Sequence, residues 1–317
     1  MKNQNQPRSR QPHSQNLLND PFRHGRLLRH AGSHLAFCAL LCVFSLLPAL
    51  LGSCQREPLP GYDDPEEPLP LPVDSVLTRI RVQADGHAVH TLDLFVYGAD
   101  GLRSLERQIT LEEPQDTVQL PTLPGEKILV GIANSPRRFN RKALERYDAM
   151  EQLSFNFDDD SPARPILGGF CTTVNHDGEI RLQPLLCRIV LTKVCNTMDG
   201  YDLLEDPQVR LRDLPDAAEI LRQEEFRPTE LIDSDKWVQF PCDVGYFPQE
   251  PHIELWCYPN DTPEDVLGVP RPSLELQCSI RGQRCTFEVP LPPLPRGCTK
   301  KVEITIDGPG NFRYTVH

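Results

Sequence analysis

Strict alternation opens the readable part of the chain. In Val76–Gln83, Val76, Thr78, Ile80 and Val82 alternate with Leu77, Arg79, Arg81 and Gln83. That is period two, a strand with one basic outer face. Leu92–Tyr97 (LDLFVY) follows and ends at the turn cluster Gly98-Ala99-Asp100-Gly101. Further strands are predicted over Leu105–Leu111, Thr117–Leu120 and Lys127–Ala133. Arg138–Leu153 differs, because Phe139, Leu144, Tyr147 and Met150 fall near helical spacing and predict one short helix. The second half returns to strands at Arg188–Val194, Gln208–Leu214, His252–Tyr258, Ser273–Ile280, Arg284–Leu291, Lys301–Asp307 and Phe312–Val316.

One hairpin can be registered from sequence. A two-residue loop at Arg281-Gly282 pairs Ile280 with Gln283, Cys278 with Cys285, Leu276 with Phe287 and Leu274 with Val289. Apolar then faces apolar on one side, as a correct register requires. Cys278 and Cys285 would stand about 5.5 Å apart, within disulfide reach. A disulfide and two reduced core thiols are both open.

Many short strands, frequent turns and 32 prolines predict all-β sandwiches. Length after the leader, and a break near Pro184, favour two: residues 76–183 and 184–317.

The segment before these strands has a different character. Residues 35–52 read LAFCALLCVFSLLPALLG, preceded by Arg23, Arg26 and Arg29 and followed by small residues. A basic region, an apolar core and a small-residue exit make an export signal. Its basic region is long, which allows a start downstream of Met1. Leu51-Gly52-Ser53-Cys54 matches the bacterial lipobox, in which the cysteine thiol takes a diacylglycerol and becomes the new N-terminus. Each buried CH₂ contributes about 0.8 kcal/mol, so two or three acyl chains hold where one would not. Residues 1–53 are therefore expected to be a lipoprotein signal peptide. Residues 54–75, rich in proline and acid, are expected to form an extended, solvated tether.

Residues 1–53 hold six Lys/Arg and one Asp, so the remainder carries 27 basic and 44 acidic residues, net −17. That balance argues against nucleic acid, whose phosphates need a basic face. Eight cysteines follow Cys54, with no C-x-x-C and no clustered histidine, so no zinc site is expected. Asp158-Asp159-Asp160 lacks EF-hand spacing and reads as a solvated loop. No G-x-S-x-G, H-E-x-x-H, Walker loop or G-x-G-x-x-G occurs. Adjacent carboxylates such as Glu66/Glu67 or Glu224/Glu225 do not flank one bond. The residues give no positive reason to propose catalysis or a cofactor.

The lipobox, the tether and LDLFVYGADG together resemble the FimB-like fimbrial anchor lipoproteins of Bacteroidales. Ile128–Pro136 (ILVGIANSP), Pro165–Gly169 (PILGG), Leu186–Val190 (LCRIV) and Gln208–Pro215 (QVRLRDLP) extend the resemblance in order along the chain. Leu167 stands where the family usually has methionine, and the cysteines are more numerous. The resemblance implies two tandem transthyretin-like β-sandwiches and an outer-membrane lipoprotein that anchors or caps a type V fimbria. It implies fimbrillin-like partners bound by strand exchange, in which backbone hydrogen bonds give affinity and alternate pockets give register. Lys301–His317 is the expected participant, against the plainer expectation of an ordinary last strand. The competing function is a surface glycan-binding lipoprotein. Its sugar platform would need Trp237 or Trp256, and parity sets Trp256 opposite the apolar residues Ile253, Leu255 and Cys257.

Overall fold

The computed structural model describes residues 74–200, 202–228, 230–263, 266 and 270–317. The first lobe contains β1 (Val76–Gln83), β2 (Thr91–Gly98), β3 (Leu105–Glu112), β4 (Thr117–Thr122), β5 (Lys127–Ala133), α1 (Tyr147–Glu151), β6 (Ser154–Asn156), β7 (Leu167–Thr172), β8 (Asp177–Arg181) and β9 (Gln183–Pro184). The second contains β10 (Cys187–Asn196), β11 (Glu205–Arg212), β12 (Leu214–Pro215), β13 (Ala217–Glu219), β14 (Leu231–Ile232), β15 (Val238–Gln239), β16 (Ile253–Cys257), β17 (Ser273–Ile280), β18 (Gln283–Pro290), β19 (Thr299–Gly308) and β20 (Asn311–Val316).

Each lobe is a sandwich of two sheets. In the first, β4-β1-β8 faces β3-β2-β5-β7-β9. In the second, β16-β10-β19-β20 faces β15-β11-β17-β18. The lobes share a wiring rule. Each opening strand, β1 or β10, pairs antiparallel on one side and parallel on the other, with β8 and β19 respectively.

Alternation explains β1 directly. Thr78, Ile80 and Val82 are buried, while Leu77 is 60% exposed on the outer face with Arg79 and Arg81. β2 is different, since Leu92 through Tyr97 are all buried. Leu92, Leu94 and Val96 pack into the first sandwich with Ile80 and Leu129. Phe95 and Tyr97 pack outward, against Tyr147, Met150 and Phe155, and against Ala218, Phe226 and Tyr258 of the second lobe. The unbroken run LDLFVY is thus a strand covered on both faces.

This second cluster joins the lobes. β6 and β13 pair antiparallel across the junction, matching Ala218 with Phe155. Arg296 lies in the loop between β18 and β19. Its guanidinium donates to the carbonyls of Gln183 and Pro184 in the first lobe and of Ile220 and Arg222 in the second. Desolvation pulls its pKa down to about 10.

The helix predicted over Arg138–Leu153 is shorter than its spacing implied. Only Tyr147–Glu151 is helical. Residues 138–146 cross the sheet face irregularly, led by side chains rather than backbone periodicity. Phe139 meets Phe95 edge-to-face at 5.4 Å, and Tyr97 Oη donates to Leu144 O at 2.9 Å.

Candidate functional site

β19 and β20 form the last hairpin, covering the segment expected to take part in strand exchange. The register sets Val302 opposite Val316, Ile304 opposite Tyr314 and Ile306 opposite Phe312. The two alternating series read in the sequence therefore share one face. Their burial differs. Val302, Ile304 and Ile306 are fully buried, because β19 is interior and also pairs with β10. β20 pairs with β19 alone among the described residues. Phe312 stacks on Tyr314 at 6.0 Å and meets Phe287 edge-to-face at 5.4 Å, yet Tyr314 remains 45% exposed. β20 therefore presents one unpaired row of backbone N–H and C=O groups, the feature an added strand recognises.

The second lobe also carries an exposed aromatic pair. Tyr246 and Phe247 are each 77% exposed and contact edge-to-face at 5.9 Å. Their loop is pinned at both ends: Val244 and Leu204 exchange backbone hydrogen bonds, as do Gln249 and Val194. Leu203, 42% exposed, extends this apolar patch. The sequence reading missed the pair because GYFP sits in a loop without periodicity.

The two tryptophans are engaged elsewhere. Arg210 lies over the Trp237 ring at 4.6 Å. Trp256 is half-buried against the inter-lobe core and borders a groove of about 320 Å³ with Asp158, Asp160, Lys236 and Glu254. Asp160, read as a solvated acid, is a turn cap. Its carboxylate accepts from Ser161 N at 2.8 Å, Ile166 N at 2.9 Å and Tyr258 Oη at 3.3 Å. Burial nevertheless pushes its carboxyl up to about 6.

No family model matches the chain, and no curated protein matches it in sequence. Solved structures do match. A candidate cell adhesion protein of Parabacteroides distasonis aligns with a TM-score of 0.57 and 12% identity, over 78% of this chain and 97% of that one. A candidate cell adhesion protein of Bacteroides eggerthii gives 0.57 and 10%, over 78% and 96%. A fimbrilin of Porphyromonas gingivalis gives 0.52 and 12%, over 76% and 96%. The chain shares its fold with a fimbrilin. At such identities the likeness concerns architecture, the two-sandwich body, and says nothing of individual side chains.

Of the residues singled out by sequence, Leu51, Gly52, Ser53 and Cys54 lie outside the described residues, as does nearly all of the tether. Cys278 and Cys285 face each other in the register expected, both buried, and both are free thiols here. Burial, with Cys285 adjacent, pushes the Cys278 thiol up to about 12. The turn that sets their register has Arg281 at φ 52° and Gly282 at φ 74°, a left-handed pair suited to a two-residue hairpin. Arg281 is held by Asp202, with Nε donating to Oδ2 at 2.9 Å.

Proposed function

We propose that this chain is a non-enzymatic, lipid-anchored component of a surface fimbria, held in the outer membrane through acylated Cys54 and joined to fimbrial subunits by strand pairing. In this reading residues 1–53 are removed, residues 54–75 form the tether, and the two sandwiches, meeting at Gln183–Pro184, form the surface-exposed body. The carrying observation is β20. It is a short, largely exposed edge strand beside β19, whose Val302, Ile304 and Ile306 are buried, on a fold also found in a fimbrilin. An incoming strand can extend the sheet at β20, or replace it, without disturbing β19.

Removal of the chain from its parent cell tests the proposal. Fimbriae are expected to be shed or abnormally long. Fibres of unchanged number, length and attachment would contradict it.

A further inference from the structure

Three cysteines meet at the end of the second lobe nearest the first. Cys187 opens β10 and is fully buried. Cys257, also fully buried, stands directly opposite it in the antiparallel ladder with β16. Cys298 immediately precedes β19 on the other side. Arg188 pairs with Thr299 in parallel register, and Arg188 N donates to Cys298 O at 2.8 Å. Register therefore sets Cys187 between Cys257 on one neighbouring strand and Cys298 at the start of the other. The Cys187 thiol also reaches the Pro295 carbonyl at 3.2 Å. Cys298 is half-buried and so the most accessible of the three.

Neighbouring strands place paired Cα atoms about 4.5–5.5 Å apart, within the range a disulfide spans. No group of His, Cys, Asp or Glu among the described residues is arranged to hold a metal ion. Adjacent cysteines in a protein exported as proposed above meet oxidising conditions. We propose that Cys187 is the centre of a disulfide site, bonding to Cys298 or to Cys257 but never both, with Cys298 receiving the oxidant.

The oxidant is a small or protein disulfide, R–S–S–R. Cys298 loses its proton and its sulfur attacks one oxidant sulfur, forming a mixed disulfide and releasing one thiolate. Cys187, losing its own proton, attacks the Cys298 sulfur. The Cys187–Cys298 bond forms and the second thiolate leaves. Two protein thiols have lost two electrons and two protons, and the oxidant has become two thiols. Cys257 can then attack Cys187, moving the bond to Cys187–Cys257 and freeing Cys298.

The location gives the bond a consequence. Cys298 ends the loop that carries Arg296, whose guanidinium bonds carbonyls of both lobes. A Cys187–Cys298 bond fastens that loop to β10. The oxidising surroundings rest on the export proposed above; the strand register that brings the cysteines together does not.

The test uses the purified full chain, incubated natively in glutathione buffers from fully reduced to fully oxidised. It is then alkylated and digested without reduction for mass spectrometry. The expected map shows Cys187 linked to Cys298 or Cys257 in most molecules, the third thiol alkylated, and a higher unfolding midpoint than the reduced protein. Cys298→Ala should slow formation of the Cys187–Cys257 bond about tenfold, because the accessible thiol is lost. The wild-type map stands even if Cys187→Ala fails to fold. Alkylation of all three cysteines in fully oxidising buffer would overturn the proposal, as would glutathione retained on Cys298 with Cys187 unlinked.

Discussion

Arg296 donates from Nη2 to the backbone carbonyl of Gly168 at 3.0 Å, across 128 residues of sequence. With Gln183, Pro184, Ile220 and Arg222 this makes five carbonyls around one guanidinium. The fork of N–H donors is what permits it, and a lysine ammonium has no such plane. Arg296→Met leaves those carbonyls without their donor while relieving the desolvated charge. The expected net loss is about 2–3 kcal/mol, with Arg296→Lys recovering less than half. Urea unfolding checks the magnitude. Limited proteolysis of the 213–230 segment at the junction checks the location, and unchanged cleavage would contradict the assignment.

Gly168 itself admits no side chain. A Cβ there would lie 2.4 Å from Ile220 Cγ1 and 2.8 Å from the Ile220 carbonyl oxygen, and at Gly169 it would lie 2.1 Å from Arg181 O. Backbone cannot yield as a flexible side chain does. Gly168→Ala and Gly169→Ala are each expected to cost about 2–3 kcal/mol or more. Thermal unfolding reads both, and a loss below about 0.5 kcal/mol at either would contradict the close approach.

Asn134 is buried at φ 58° in the ANSP run. Its Nδ2 donates to the Ala88 and Pro165 carbonyls at 2.9 and 3.1 Å, and its Oδ1 accepts from His90 N at 3.0 Å. Asparagine tolerates the left-handed region better than other non-glycine residues. Asn134→Ala loses three hydrogen bonds and keeps the strained backbone, an expected cost of about 2–4 kcal/mol. Asn134→Gly should be less harmful than Asn134→Ala, and the opposite order would contradict this reading.

Asp93 supplies a pH signature. Burial pushes its carboxyl up to about 6, partly opposed by the Thr110 Oγ1 hydrogen bond at 2.5 Å. The folded state therefore binds the Asp93 proton more readily than the unfolded chain. This contribution favours folding below about pH 4 and is lost as pH rises through about 6. Asp93→Asn should be more stable than wild type by about 1–3 kcal/mol above pH 7, the gain shrinking toward zero near pH 4. Urea titrations at several pH values compare the two, and a pH-independent difference would contradict the assignment.

Much of the architecture was legible because burial imposes period two. β1, β5 and β17 match their sequence bounds, and the hairpin of β17 and β18 has the register that Arg281-Gly282 dictates. β7 and β8 were missed for physical reasons. β7 carries the adjacent glycines 168 and 169, and β8 buries only Ile180 among polar neighbours. LDLFVY could be read as a strand, but its second covered face depends on residues such as Phe226 and Tyr258 far along the chain. PILGG and ANSP were visible as strings, and close packing and a left-handed turn are what they encode. Arg296 gave no signal, because its partners are backbone carbonyls that carry no sequence. Tyr246 and Phe247, exposed in a loop, likewise follow no period.

The most direct measurement of the central claim is affinity purification of the tagged chain from detergent-solubilised outer membranes of its parent cell. Three forms are compared: wild type, Cys54→Ala, and a form with charged substitutions on β20 at Phe312 and Tyr314. The account expects acylated wild type to retain fimbrial subunits, the β20 form to stay acylated and folded but lose them, and Cys54→Ala to leave the membrane. Wild type recovered from the soluble fraction without acyl chains, or from the membrane without any fimbrial subunit, would contradict it.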